Sequence, residues 1–211
     1  MEKALESPVE PGSRPDSAKR RQIIDGACRV FLAQGFDAAS MGAIAKEAGV
    51  SKGTLYVYFK SKDDLFAAIV EEQCREQGLL IFTLDPSDHD VEATLTRVGT
   101  EFARFMCRPG GLPVLRTIIA IADRMPVLGK QFYEAGPRRG QAALMEYLEA
   151  QVAAGVLKPH DSEVAAAQFI DSCLSIIFKP VLFNFAGPPN DETIARVVAI
   201  AVRTFLAAYK A

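Results

Sequence analysis

Tryptophan is absent from the 211 residues, and histidine occurs only at positions 89 and 160. The four cysteines, Cys28, Cys74, Cys107 and Cys173, lie far apart and form no C-x-x-C pair. Neither a disulfide framework nor a thiolate zinc site is therefore indicated, and reduced thiols in a cytoplasmic setting are expected. No uncharged apolar run reaches the roughly 18 residues that a membrane helix needs, so no membrane partner is expected. The acidic, proline-rich N-terminus lacks an apolar stretch, which argues against a secretory signal. There is no G-x-S-x-G elbow and no phosphate-binding glycine loop, and neither histidine neighbours a cysteine cluster. Without an organised nucleophile or base the chain is not expected to be an enzyme, and no cofactor or metal is expected.

What is present is a globular composition, 49% hydrophobic and 24% charged, sufficient for a small N-terminal domain and a larger second one. The formal net charge of −2 is unevenly distributed. From Ser13 to Lys62, nine basic residues (Arg14, Lys19, Arg20, Arg21, Arg29, Lys46, Lys52, Lys60, Lys62) accompany four acids (Asp16, Asp25, Asp37, Glu47), an excess of five positive charges. The other fifteen basic and twenty-two acidic residues leave the rest of the chain with seven negative charges. A basic head on an acidic body is the electrostatic footprint of nucleic-acid binding.

Residues 1–16, with Pro8, Pro11 and Pro15 among four acids, read as a disordered tail or as an extension reaching a groove. Asp16 or Ser17 caps a first helix in which Ile23, Ala27, Val30 and Phe31 share a face and which Gly35 ends. Lys19, Arg20 and Arg21 oppose the dipole of its first turn, which either a nearby phosphate backbone or plain solvation accommodates. Two short helical patterns follow between Ala38 and Leu65. Ser40 caps the first, with Met41, Ile44, Ala45 and Ala48 at helical spacing and Gly49 stopping it. Ser51 caps the second, with Leu55 and Phe59 facing in and Lys52, Thr54, Tyr56 and Tyr58 facing out. Two short helices joined by a glycine turn describe a helix-turn-helix, whose second helix enters the DNA major groove. Ser61 and Asp64 offer a capping box for a fourth helix through Leu65, Phe66 and Ile69 to about Gln77, with Lys62 in its first turn within reach of phosphate.

Beyond this head the pattern stays helical. Asp85, Asp88, His89 and Asp90 lack the regular offsets and glycine of a hard-cation loop and read as a capping loop. Leu95, Val98, Phe102, Phe105 and Met106 make Val91–Cys107 an amphipathic helix, stopped by Pro109-Gly110-Gly111. A buried helix runs from Leu112 to about Arg124, and a longer one passes through Phe132 to Gly155, kinked or split at Gly136-Pro137. Arg138 and Arg139 are a solvated face or contacts for an acidic effector. Ser162 to Phe183 is apolar on more than one side, through Phe169, Cys173, Ile176 and Ile177 and through Val164, Leu174 and Phe178, and is expected to be buried on two faces. A last helix places Ile194, Val197, Val198, Ala201, Val202 and Phe205 opposite Arg196, Arg203 and Lys210. The fold class is all-α: a three-helix DNA-binding domain over 17–62 and a helical C-terminal domain over 63–211.

From about Ser17 to Phe66 the chain resembles the DNA-binding domain of the tetracycline-repressor (TetR) family. The residues concerned are Gly35-Phe36, Ile44-Ala45, Ala48-Gly49-Val50-Ser51, Gly53-Thr54-Leu55-Tyr56, Tyr58-Phe59, Ser61-Lys62 and Leu65. The stretch YEAGPRRGQAALMEYLEAQVAAGVL is similar to the regulatory domains of a subgroup near the AcrR-type efflux regulators. The resemblance implies a ligand-responsive regulator, a repressor that binds a palindromic double-stranded operator as a homodimer and is released by a small hydrophobic effector. An effector-independent regulator is the alternative. It implies DNA contacts at Ser40, Met41, Ser51, Lys52, Gly53, Thr54, Tyr56, Tyr58 and Lys62. Val57 stands where many members carry a larger polar or aromatic side chain, so no base contact is assigned there. The last two helices, about 162–183 and 191–208, become a dimer interface, with an ordinary intrachain core as the alternative. Nine of the thirteen phenylalanines lie beyond residue 80, and Phe102, Phe105, Met106, Met125, Phe132 and Phe169 are the candidate lining of the effector pocket.

Overall fold

Helices α1 (Pro15–Ala38), α2 (Met41–Glu47), α3 (Lys52–Tyr58) and α4 (Lys62–Gln73) follow one another in the computed structural model, which describes residues 15–73 and 79–211. The expected tail up to residue 14, the continuation of the fourth helix to Gln77, and Cys74 lie outside the described residues. α1 starts at Pro15, ahead of the cap expected at Asp16 or Ser17; the fixed φ of proline suits a first helical turn. Gly35 interrupts α1 with φ 77°, a conformation open to glycine, so the chain turns and returns Phe36 to the core. The Phe36 ring lies 5.3 Å from that of Phe31 and 5.2 Å from that of Phe66. This aromatic cluster draws the first half of α4 into the head. The compact units divide between Ile69 and Val70, inside α4.

The second unit comprises α5 (Leu79–Ile81), α6 (Val91–Cys107), α7 (Leu112–Ile121), α8 (Pro126–Ala135), α9 (Pro137–Ala153), α10 (Ser162–Leu174), α11 (Phe178–Leu182) and α12 (Asp191–Tyr209). α6 has the limits read from its periodicity and packs against α10, α11 and α12. Its Gly99 sits where they converge: a Cβ there would lie 2.8 Å from Cys173 Sγ and 3.0 Å from Val198 Cγ1. Gly136-Pro137 splits the expected long helix into α8 and α9, and α7 stops at Ile121, before Arg124. The expected helix over 162–183 is broken at Ser175–Ile177, between α10 and α11.

Burial of that segment on two faces is not found. Ala165, Ala166, Phe169 and Cys173 are buried, but Val164 is 47% and Ile176 58% exposed, because only one face meets other helices of the chain. α12 buries Ile194, Val197, Val198, Ala201, Val202 and Phe205, and leaves Arg196, Arg203 and Lys210 in solvent. Its end is stitched to the α9–α10 connection. The Lys158 N–H donates to Tyr209 O at 2.8 Å, the Ala211 N–H to Val156 O at 3.2 Å, and Leu157 pairs with Lys210 in an isolated antiparallel bridge.

The acidic loop before α6 is a capping structure. Asp90 accepts the Ala93 N–H at 3.0 Å, Asp88 accepts the Asp90 N–H at 3.0 Å, and Asp85 accepts the Ser87 N–H at 2.9 Å. The Ser87 bonds hold the Asp85 carboxyl below its ordinary range. α9 fastens the loop from beneath, with Tyr147 O–H donating to Asp88 O (2.9 Å) and Gln151 Nε2 to Pro86 O (3.0 Å). That second bond orients the amide, so Gln151 Oε1 accepts from His89 Nδ1 at 2.8 Å and the ring hydrogen sits on Nδ1. Among the described residues no group of three His, Cys, Asp or Glu side chains could hold a metal, and no helix is long and apolar enough to cross a membrane.

Candidate nucleic-acid interface

Each short helix of the head begins on a serine. Ser40 Oγ accepts the Ala43 N–H at 3.1 Å and starts α2; Ser51 Oγ accepts the Thr54 N–H at 3.0 Å and starts α3. These bonds satisfy amides that a helix start otherwise leaves open. Between the helices the Ala48 N–H returns to Ile44 O at 2.8 Å, and Gly49 takes φ 64° to redirect the chain. Leu55, fully buried, and Phe59, 5% exposed, fix the inner face of α3. Lys52, Gly53, Tyr56 and Val57 consequently stand in solvent, with Thr54 and Tyr58 half-buried at the margin.

α1 holds this pair from behind, through contacts no local pattern announces. Gln22 Nε2 donates to Ala48 O at 2.7 Å, capturing a carbonyl at the end of α2, and Gln22 Oε1 accepts from Lys19 Nζ at 3.0 Å. Gly26 lets α1 close on the turn: a Cβ at this position would lie 2.7 Å from Ala48 Cβ and 2.8 Å from Ala48 Cα. Arg20 covers the Phe59 ring, its guanidinium carbon 5.4 Å from the centroid. Lys19 and Arg20 thus serve the head's own packing. Lys52 lies along the α2–α3 corner, its Cε 3.1 Å from where a Gly42 Cβ would be.

Lys62 occupies a different place from the one expected of a phosphate contact. Its Nζ donates to the carbonyls of Phe36 (2.9 Å), Asp37 (3.1 Å) and Ala39 (3.4 Å), and sits 4.7 Å from the Phe36 ring centroid. Those three carbonyls account for the three N–H groups of the ammonium. Lys62→Ala is therefore expected to destabilise the head by about 1–2 kcal/mol, read as a lower thermal midpoint. The salt dependence of DNA binding should change by less than about half a unit of log–log slope. A slope shallower by a full unit with an unchanged midpoint would return Lys62 to the phosphate.

The six candidate pocket residues have different surroundings. Phe169 is core, 5.8 Å from the Phe205 ring; Phe102 packs on Phe82 at 5.8 Å; the Arg108 guanidinium covers Phe105 at 3.8 Å. Met106, Met125 and Phe132 are half-buried, the last two at and within α8, whose one buried residue is Leu128. Two open grooves run along α6. One, of about 700 Å³, is lined by residues from Asp90 to Arg104, all but Ala93 of them polar; the other, of about 590 Å³, lies by α5 and includes Leu80, Phe105 and Arg108. Of the six candidates only Phe105 lines either groove. Burial pushes the Cys173 thiol up to about 12 and raises those of Cys28 and Cys107, so these remain unreactive thiols.

Residues 23–69 match the profile of bacterial regulatory proteins of the tetR family, and residues 93–211 that of AefR-like transcriptional repressors, C-terminal domain. The fold is similar to that of a TetR-family transcriptional regulator from Mesorhizobium loti, with a TM-score of 0.85, 29% identity, and coverage of 94% of this chain and 100% of that one. It is also similar to the flavonoid-responsive regulator FrrA, with a TM-score of 0.79, 31% identity, and coverage of 92% and 98% respectively. The regulator YhgD of Bacillus subtilis is 24% identical over 87% of this chain and 94% of its own length. AcrR of Shigella flexneri is 50% identical over 52 residues, which are 25% of this chain and 24% of AcrR.

Proposed function

Because this chain belongs to the TetR family of bacterial regulatory proteins, a family of transcriptional regulators and not of enzymes, we propose that it is a repressor that binds a pseudopalindromic operator as a homodimer in the cytoplasm. The observation that carries this reading is the Ser51-capped α3, which turns Lys52, Gly53, Thr54 and Tyr56 away from a fully buried Leu55. In a two-fold dimer the two α3 helices would enter successive major grooves about 34–36 Å apart. Lys52, Tyr56 and Tyr58 mainly fix the head on phosphates, while Thr54 and Lys52 reach base edges, with Ser40, Met41, Ser51 and Gly53 beside them at the DNA. Thr54 Oγ1 already shares a 2.8 Å hydrogen bond with Ser51 Oγ, which sets its rotamer before DNA arrives. Lys62 enters this scheme as a positioning residue.

Dimerisation through the last two helices, about 162–183 and 191–208, is supported by apolar side chains that the single chain leaves in water. Val164, Ile176 and Ile200 are 47–58% exposed, and Phe183 and Phe185 more so. A small hydrophobic effector is supported by the sparse packing of α8 beside Met125 and Phe132 and by the flavonoid response of FrrA. To release DNA it must bind the DNA-free conformation more tightly, by about 1–3 kcal/mol for ordinary coupling. The open form of the two grooves favours, as a second reading, a regulator that needs no effector. DNA release by a flavonoid panel separates the two.

Selection of bound fragments from genomic DNA by the full chain tests the reading, with Tyr56→Ala as its control. Tyr56 is 52% exposed, so the substitution spares the fold. Affinity for a selected fragment, followed by fluorescence anisotropy, is expected to fall by at least about tenfold, the scale of a lost charge-assisted phosphate or base contact. Wild-type affinity in the variant would remove α3 from the groove.

A further inference from the structure

Val57 is the most exposed large apolar side chain of the head, at 82%, against 52% for Tyr56 and 44% for Leu32. It lies about 160° round α3 from Leu55, so it stands at the centre of the outward face, with Tyr56 and Tyr58 on either side. Gly53, one turn earlier, continues the same strip. Packing within the protein does not require a glycine there: a Cβ would meet only Ser51 Oγ, at 3.7 Å. A glycine inside a helix is costly relative to alanine, so its use on this strip fits a helix that must come very close to another surface. The centre of the outward face is therefore small and apolar, and three cations of the head, Lys46 in α2, Lys52 at the start of α3 and Lys60 just beyond it, are exposed.

An isopropyl group offers neither donor nor acceptor. In the major groove the edges of adenine, guanine and cytosine present polar atoms, and thymine alone presents an apolar group, the C5 methyl. The geometry points to Val57 as a sequence-reading residue that selects thymine in each half-site through contact with this methyl group. The inference rests on the proposed operator binding by α3, and goes beyond it by naming a reading residue and the base it reads. Burying one methyl-sized apolar surface per half-site corresponds to about a fourfold change in affinity, and about 15-fold for both half-sites of a dimer.

The test begins with fragments selected by the full-length wild-type protein. Each thymine of the protected region is then replaced, symmetrically in both half-sites, by deoxyuridine, which removes the methyl group and keeps the pairing face. Wild-type protein is expected to show one thymine pair whose replacement weakens binding about 15-fold, and Val57→Ala is expected to bind the two versions within about twofold of each other. Val57 is too exposed for the variant to unfold, and its thermal midpoint should match the wild type. A flat deoxyuridine scan in the wild type overturns the proposal, as does a sensitive thymine pair that stays equally sensitive in Val57→Ala. Either result leaves operator binding standing, whereas failure to select any DNA removes both readings together.

Discussion

Replacing Gly26 with valine is expected to weaken operator binding by about 10- to 100-fold, while the C-terminal unit keeps its own melting transition. The atoms nearest a Cβ at this position are Ala48 Cβ, Cα and N, at 2.7, 2.8 and 2.9 Å. Two of them are backbone, and Ala48 is itself buried at 3% exposure, so no rotamer change relieves the clash. α1 has to withdraw from the turn between α2 and α3, and the Gln22–Ala48 hydrogen bond of 2.7 Å goes with it. Overpacking of this kind costs about 1–3 kcal/mol, and a head of this size has little stability in reserve. Gly53→Ala supplies the comparison. Its added methyl has room, so the midpoint of the head should hold or rise by the helix preference for alanine. Equal midpoints for Gly26→Val and Gly53→Ala, measured by circular dichroism, would show that the α1–α2 contact does not organise the head.

The second large effect is expected at Gly99→Val. Here the neighbours are side chains, Cys173 Sγ at 2.8 Å, Val198 Cγ1 at 3.0 Å and Phe169 Cζ at 3.4 Å, but each is held in the buried junction of α6, α10 and α12. Valine adds two methyl groups beyond the Cβ, so the three helices must spread. A loss of about 3 kcal/mol follows, or a midpoint lower by roughly 10 °C for a unit of this size. Gly99→Val paired with Val198→Ala should recover part of this loss, because the second change vacates part of the space the first one takes. Failure of the pair to do better than Gly99→Val alone would place the conflict elsewhere.

The features read correctly from the sequence are those decided within a turn of the chain. Ser40, Ser51, Gly49 and Gly35 act on their immediate neighbours, and the spacing of Leu95, Val98 and Phe102 defines α6 because one face of that helix alone is buried. The surroundings of Lys62 have no such local signal. Its three carbonyl partners belong to residues 36, 37 and 39, and they converge only after Gly35 has reversed the chain. The bond of Gln22 is non-local on the same ground, since its partner lies 26 residues away. The outermost place of Val57 on α3 is local, because a helical wheel fixed by Leu55 and Phe59 already puts it there. The pocket candidates could not be sorted this way, because an apolar residue at helical spacing looks the same whether it faces a solid core, as Phe169 does, or a cavity.

The stitch between α12 and the α9–α10 connection has a mechanical consequence. With Lys158 bonded to Tyr209 and Ala211 to Val156, the end of α9 and the end of α12 share one anchorage. If α12 were clamped against a second copy of the chain, this end of α9 would be held as well, and a displacement begun at α8 would have to pass through the packing of Gly140 on Phe82 and of Leu144 and Leu148 in the core before it reached the anchorage.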